Sequence, residues 1–208
     1  IALVEAAHAM GRKVAAHAHG KIGMEAALRA GVDSIEHGSY LDAETADLFV
    51  ATGAYLVPTL IAGHTVERIA TERPEFYVPE VRQKALEVGP IMKIALRTAY
   101  EKGVKIAFGT DAGVNDHGTN AYEAVLMNEA GMPERAILIS ATINAAELIG
   151  ITDITGTIEV GKDADIIAVS GNPLEDISTL LQPSYVMVRG NEVDLDVPPV
   201  NLFPWPDI

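Results

Sequence analysis

The sequence predicts an α/β fold, with half of a (β/α)8 barrel as the favoured architecture. Four short apolar runs alternate with helical runs, and each apolar run ends in polar residues and glycine, as in a parallel sheet of βαβ units. The four units occupy only residues 12–150, whereas a complete barrel needs about 250 residues. A doubly wound sheet is the competing architecture, but no run is followed by the GxGxxG pattern typical of dinucleotide-binding sheets.

The first part of the chain alternates helices and strands in short steps. Residues 1–11 are predicted to form a helix that ends at a glycine, and 12–20 a buried strand that closes with another. A helix at 23–31 leads to a second strand at 32–38, and a helix at 41–53 follows. Both of these helices also stop at a glycine, which is the common C-terminal signal.

The middle of the chain contains two further predicted strands. A third strand is predicted at 54–63, with Pro58 near its end, where a lost ladder hydrogen bond costs least. Residues 64–90 are charged and contain Pro74 and Pro79, so we predict a long loop with helical pieces. An amphipathic helix at 90–103 then leads to the fourth strand at 104–113.

The pattern changes after a predicted helix at 133–150. Residues 155–177 and 184–195 alternate with period two between glycine turns, which is typical of a small β-structure outside a barrel. The last twelve residues are rich in proline and are expected to pack in an extended form against a surface. We therefore divide the chain into residues 1–150, the half barrel, and 151–208, a β-sandwich appendage with a tail.

Composition excludes several classes of function. The net charge of −14 and pI near 4.7 argue against binding to nucleic acid, which needs a cationic face. The absence of cysteine rules out disulfides and thiolate metal sites and fits a cytoplasmic protein. No apolar run approaches the roughly 20 residues that a membrane span needs, so we expect no membrane partner.

The start of the chain indicates a missing segment. Ile1 is not a start methionine, and the helix at 1–11 has no capping residue before it. We therefore expect the chain to be a fragment whose partner is the N-terminal half of the same protein. A homo-oligomer is also expected.

Ionisable side chains stand at the ends of three predicted strands. His17 and His19 close the first strand, His37 closes the second, and Asp111 closes the fourth. Imidazoles and carboxylates are ligands that suit Zn²⁺ and similar ions. Taken singly, each signal is weak, because a strand-end histidine is more often hydrogen-bonded in a core and Asp111 can simply cap the next segment. Successive βα units bring all of them to one face, which favours a shared site.

Side chains alternate between the two faces of a strand, and this alternation suggests where the candidate residues point. His17 and His19 are two residues apart and share a face, so one can be a ligand while the other lines the rim. Glu36 should then point away from His37, toward the helical layer, and be structural. His117 lies in the loop after Asp111, where substrate contact and a plain loop histidine are equally acceptable interpretations.

Four segments together carry a family resemblance: VAAHAHG, GVDSIEHG, FGTDAG and GTIEVGKDADIIAV. They resemble the C-terminal half of the amidohydrolase superfamily, and most closely its imidazolonepropionase-like branch with the Xaa-Pro dipeptidases, or prolidases. The resemblance implies strands five to eight of a barrel with a binuclear, usually zinc, centre at its mouth. It also implies further ligands, an HxH pair and a carboxylated lysine, in an N-terminal half.

The resemblance implies specific roles for residues of this chain. His17, His37 and Asp111 correspond to metal ligands, and His17 is preferred over His19 because the family uses the first histidine of this strand end. Two divalent metal ions lower the pKa of a bridging water and polarise the scissile carbonyl. Asp111 would accept the proton from that water and pass it to the departing amine. His117 and His19 are the candidates for contacts to the substrate and its oxyanion.

The expected activity is metal-dependent hydrolysis of the amide bond in dipeptides or N-acyl amino acids. A ring amide hydrolase of the imidazolonepropionase type fits the same ligands and stays open as an alternative. A deaminase of the superfamily fits less well, because Gly20 stands where such enzymes carry a glutamate. A catalytically silent scaffold is the non-enzymatic alternative, and the intact His17, His37 and Asp111 argue against it.

Overall fold

The computed structural model describes residues 1–196, which form two sheets. The first sheet is parallel, with its strands in chain order: β1 (Ala15–Ala18), β2 (Ser34–His37), β3 (Tyr55–Val57) and β4 (Lys105–Ile106). The second is antiparallel: β5 (Ile166–Val169), β6 (Pro183–Val188) and β7 (Asn191–Glu192). The predicted α/β class with a parallel sheet is therefore confirmed.

Eight α-helices accompany the sheets in the described part of the chain: α1 (Ala2–Ala9), α2 (Lys21–Ala30), α3 (Ala43–Thr52), α4 (Leu60–Glu72), α5 (Pro79–Glu101), α6 (Tyr122–Glu129), α7 (Glu134–Ile139) and α8 (Ala145–Ile149). A π-helical turn, Ser140–Asn144, joins α7 to α8, and a 3₁₀ helix, Ile177–Leu181, precedes β6. No helix among residues 1–196 combines the length and the apolar character needed to cross a bilayer.

Two groups of buried side chains distinguish the faces of the parallel sheet. Ile35 and Leu56 belong to the main core, between the sheet and the helices. Tyr55, Val57 and Ala107 form a smaller cluster on the other face. Because side chains alternate along a strand, neighbouring residues such as Tyr55 and Leu56 belong to opposite faces. The second face corresponds to the inside of a barrel.

The predicted strand at 54–63 is wrong beyond Val57. Pro58 has no N–H to donate to the sheet, and Thr59 then adopts a left-handed conformation with φ 48°. The chain turns directly into α4, whose first two N–H groups are accepted by the carboxylate of Glu123. That carboxylate lies more than sixty residues further along the chain, so local sequence does not reveal it.

The prediction of a long loop with helical pieces at 64–90 is wrong in its proportions, because α4 and α5 occupy most of the segment. Pro79 sits in the first turn of α5, where a proline is favoured, and Pro90 lies inside the helix. The buried residues of α5 continue at helical spacing across that proline: Ala85, Gly89, Met92, Ala95, Leu96 and Ala99. Packing of this stripe offsets the lost hydrogen bond, which sequence propensity alone counts as a helix break.

The last part of the half barrel contains one helix that the sequence did not predict, α6. The predicted helix at 133–150 is present but includes the π-helical turn. At that turn the Ser140 carbonyl accepts the Phe108 N–H, and the Asn144 amide donates to the Ile106 carbonyl. The irregular turn thus ties this helix to the end of β4.

The second sheet lies within the two segments predicted as a β-appendage. The 3₁₀ helix before β6 places Ile177 in the main core, so this part of the chain packs against the first sheet's helices. The division into 1–150 and 151–208 stays a prediction. The proposed extended tail, residues 197–208, lies outside the described residues.

Candidate metal centre

Three histidines meet at the carboxyl ends of β1 and β2. His17, His19 and His37 each offer a ring nitrogen, and these atoms lie within 4.8 Å of one another. The ring centroids of His17 and His37 are 4.6 Å apart, and those of His19 and His37 are 4.8 Å apart. Such spacing allows all three rings to approach one ion.

The backbone at the end of β2 determines which side chains reach this cluster. The parallel register pairs His17 with Glu36, so these two side chains share the barrel face of the sheet. His37 has φ 72° and leaves the strand alternation, which lets its ring join His17 as well. The prediction that Glu36 points toward the helices is therefore wrong: it lies on the barrel face, where its carboxylate accepts a hydrogen bond of 2.6 Å from Ser34.

Two hydroxyl groups hold the orientation of the histidine rings. The Nδ1 atom of His19 is 2.7 Å from Ser39 Oγ, and that of His37 is 2.7 Å from Thr59 Oγ1. When each Nδ1–H donates to its hydroxyl oxygen, each Nε2 keeps a free lone pair. Sequence reasoning missed both hydroxyls. The only signal was the position of Ser39, two residues beyond His37.

Burial favours the neutral form of two of the clustered imidazoles, those of His19 and His37. It lowers the pKa of His37 to about 4, with smaller contributions from His19 and His17 and an opposing one from Asp111. Burial also lowers the pKa of His19, assisted by His17 and Lys84. Since neutral imidazole is the form that binds metals, these rings are in the ligand state at neutral pH.

Asp111 faces the same cavity from the loop after β4. It adopts a left-handed conformation with φ 52° and lines a cavity of about 540 Å³ together with His17, His19 and His37. Burial raises the pKa of Glu36, and the negative charge of Asp111 raises it further, so the two carboxyl groups interact electrostatically. The structure thus brings all the predicted ligands to one cavity.

The wall of the cavity comes from α4 and α5. Most of its lining side chains are apolar, and a lysine and a glutamate one turn apart on α5 add the charges: Ala62, Gly63, Val66, Glu80, Val81, Lys84, Ala85, Val88 and Met92. Sequence reasoning missed this wall because it treated much of the segment as a loop.

The remaining histidines lie elsewhere. His117 is exposed in the loop after β4 and does not line the cavity of the cluster. His64 borders a neighbouring cavity of about 570 Å³, with its ring 5.5 Å from that of Tyr122. His8 lies on α1, where its Nε2 is 2.8 Å from Asp33 Oδ2.

The donor set fits a divalent metal ion. Three imidazoles and one carboxylate in a single cavity match the nitrogen and oxygen ligands that zinc and similar ions take. The hydroxyl groups behind His19 and His37 are the kind of outer partner that orients metal-binding histidines. His17, His19 and His37 can therefore hold a metal, and Asp111 lines the same cavity.

A comparison with known protein families supports this interpretation. The amidohydrolase family model matches residues 1–193. This chain belongs to the amidohydrolase family. Members of this family are typically metal-dependent hydrolases, and the histidine cluster occupies the strand ends where such a centre is expected.

Similar proteins with solved structures include dipeptidases. A Xaa-Pro dipeptidase with methionine bound in its active site is 51% identical, with a TM-score of 0.88 over 93% of this chain and 47% of its own. A prolidase in complex with N-methylphosphonate-L-proline is 33% identical, with a TM-score of 0.83 over 92% of this chain and 48% of its own. Ochratoxinase from Aspergillus niger is 36% identical over 186 residues, which are 88% of this chain and 38% of that protein.

These matches confirm the resemblance to prolidase-type amidohydrolases and the half-barrel fold. The amidohydrolase chain described here spans about half the length of the solved relatives and less than half of ochratoxinase.

Proposed function

We propose that this amidohydrolase contributes to a metal-dependent hydrolase that cleaves the amide bond of dipeptides or N-acyl amino acids. The observation that carries the proposal is the convergence of His17, His19, His37 and Asp111 on one cavity at the strand ends. The similarity to a Xaa-Pro dipeptidase and a prolidase supports the substrate class. The N-terminal half of the same protein would supply the HxH pair and the carboxylated lysine.

Each side chain has a proposed role. His17, His37 and Asp111 would hold two divalent ions, most suitably zinc, which when bound make a water acidic and polarise a carbonyl group. Asp111 would take the proton of the attacking water and transfer it to the departing amine nitrogen. His19 would donate a hydrogen bond to the developing oxyanion from Nε2–H, in the tautomer in which its Nδ1 accepts from the Ser39 hydroxyl. His117 is the second candidate for a substrate contact.

The cavity wall suggests how such a substrate would be recognised. Lys84 provides a cation on a mainly apolar wall, and dipeptides and N-acyl amino acids share a free carboxylate. Glu80 stands one helical turn away and would attract the free ammonium group of a dipeptide, which N-acyl amino acids lack. Lys84 would therefore bind both substrate classes, and Glu80 would favour dipeptides over N-acyl amino acids.

A substrate panel tests the proposal on the full-length, zinc-supplemented protein. We expect turnover of Xaa-Pro dipeptides or N-acyl amino acids and a rise in KM for Lys84→Met. Lys102→Met is the matched control, because Lys102 follows the far end of α5 and pairs with Asp47 outside the cavity. Exclusive turnover of a cyclic amide would favour the imidazolonepropionase-type alternative, and no turnover with no bound metal would refute the proposal.

A further inference from the structure

Glu123 has a fully buried carboxyl group that does not line the metal cavity. Its Oε1 accepts the Leu60 N–H at 2.8 Å and its Oε2 accepts the Ile61 N–H at 2.6 Å. Burial raises the pKa of Glu123 to about 8, and the two N–H groups act in the opposite direction. In the described part of the chain no cation pairs with Glu123, and its hydrogen-bond partners are the first two backbone N–H groups of α4.

The residue just before these two N–H groups is held in an unfavourable conformation. Thr59 has φ 48° and ψ 44°, a left-handed geometry that a β-branched residue adopts rarely. Such strain is unfavourable and persists only where the surroundings enforce it. Glu123 anchors the next two residues, and Pro58 restricts the backbone on the other side. The buried carboxylate is therefore placed to maintain the turn.

The strained turn has a direct contact with the metal site. It places Thr59 Oγ1 at 2.7 Å from Nδ1 of His37, whose own φ is 72°. A continuous path of contacts thus runs from Glu123, through the first turn of α4 and Thr59, to an imidazole of the histidine cluster. Outer partners of metal-binding histidines typically contribute 10–100-fold to metal affinity or activity.

We propose that Glu123 is a positioning residue for the metal centre, which holds Thr59 so that its hydroxyl keeps the His37 ring with Nδ1 protonated and Nε2 directed to the ion. This inference rests on the proposed metal-dependent function. The competing explanation is that Glu123 only stabilises the start of α4. A purely stabilising cap would change the melting temperature without changing the state of the His37 ring.

Two variants separate these explanations in the full-length protein. Glu123→Gln keeps the shape but replaces one of the two accepting oxygens by an NH2 group, which cannot accept from a backbone N–H. Thr59→Val removes the hydroxyl while Glu123 stays in place. The matched control is Thr45→Val, because Thr45 is as buried but lies on α3 and does not line the cavity. Thr59→Ser retains the hydroxyl and is the conservative rescue.

Zinc dissociation constants from chelator competition give the first readout. We expect roughly 10–100-fold weaker binding for Glu123→Gln and Thr59→Val, and wild-type binding for Thr59→Ser and Thr45→Val. Nitrogen NMR of the metal-free protein gives the second. We expect His37 to carry its proton on Nδ1 in the wild type and to lose this preference in Glu123→Gln and Thr59→Val.

The two readouts distinguish failure of this inference from failure of the proposed function. A wild type that binds no zinc would refute the metal-dependent function, whereas the His37 tautomer would still report the contact from Thr59. A lower melting temperature with unchanged zinc affinity and unchanged tautomer in Glu123→Gln would make Glu123 a simple cap. If Glu123→Gln does not fold, Thr59→Val still tests the inference, because Glu123 acts on His37 only through Thr59. An unchanged zinc affinity and an unchanged His37 tautomer in Thr59→Val would refute it.

Discussion

Substituting Asp111 by asparagine tests the proposed chemistry most directly. Asp111 has φ 52°, and asparagine tolerates this left-handed region better than other non-glycine residues, so the loop after β4 should keep its conformation. The variant removes the negative charge and the basicity of the carboxylate while its size hardly changes. An alanine would instead add backbone strain, and a loss of activity would then have two explanations.

The expected loss is large. A positioned general acid or base contributes typically 10²–10⁴-fold to the rate, which corresponds to about 3–5 kcal/mol of activation free energy. The structure also provides a second readout, because the charge of Asp111 raises the pKa of the neighbouring Glu36. In Asp111→Asn we therefore expect kcat to fall by at least about 10²-fold and the pKa of Glu36 to decrease.

The measurement combines steady-state kinetics on the preferred dipeptide, metal analysis and NMR titration of Glu36 in the full-length protein. Unchanged circular dichroism and a lowered pKa of Glu36 would show that the fold and the local geometry survive. Near-normal kcat with unchanged metal content would refute the assignment of Asp111 as ligand and proton carrier.

Two other predictions concern the ligands and the sheet. His17→Ala and His37→Ala should each lower the bound metal measured by elemental analysis, whereas His64→Ala should not; retention of metal in the first two would contradict their assignment. Gly109→Ala should lower stability by about 1–3 kcal/mol, because the added Cβ would overlap the side chain of Val57 on β3. Gly20→Ala, with open space around it, is the control in a thermal melt.

Local signals were sufficient for the early βα units. The strand predicted at 32–38 contains β2, and the glycines after α2 and α3 adopt the left-handed conformation that ends a helix. Both features depend on residues close in sequence, so a single sequence reveals them. The same reasoning failed for α5, where Pro90 indicated a helix start although a buried stripe runs through it.

The direction of Glu36 shows a second kind of failure. Strict alternation predicts that neighbours on a strand point to opposite faces, and this holds for Tyr55 and Leu56 on β3. It also holds for Glu36, which shares the barrel face with Ser34, but it fails at His37, whose positive φ turns its ring to that same face. The sequence prediction assigned the barrel face to His37 by regular alternation and therefore placed Glu36 behind the sheet instead of beside the metal site.

The difference between ligands and supporting residues explains how far sequence alone can define this site. Metal chemistry restricts ligands to a few residue types, and the barrel places them at strand ends, so His17, His37 and Asp111 stand out in the sequence. A supporting group only has to offer a hydrogen-bonding atom at the right point. Thr59 and Glu123 meet that need from positions 22 residues from His37 and 62 residues from Ile61, respectively. Their contacts form only in the tertiary structure, so nothing in the local sequence around the turn before α4 marks it as part of the site.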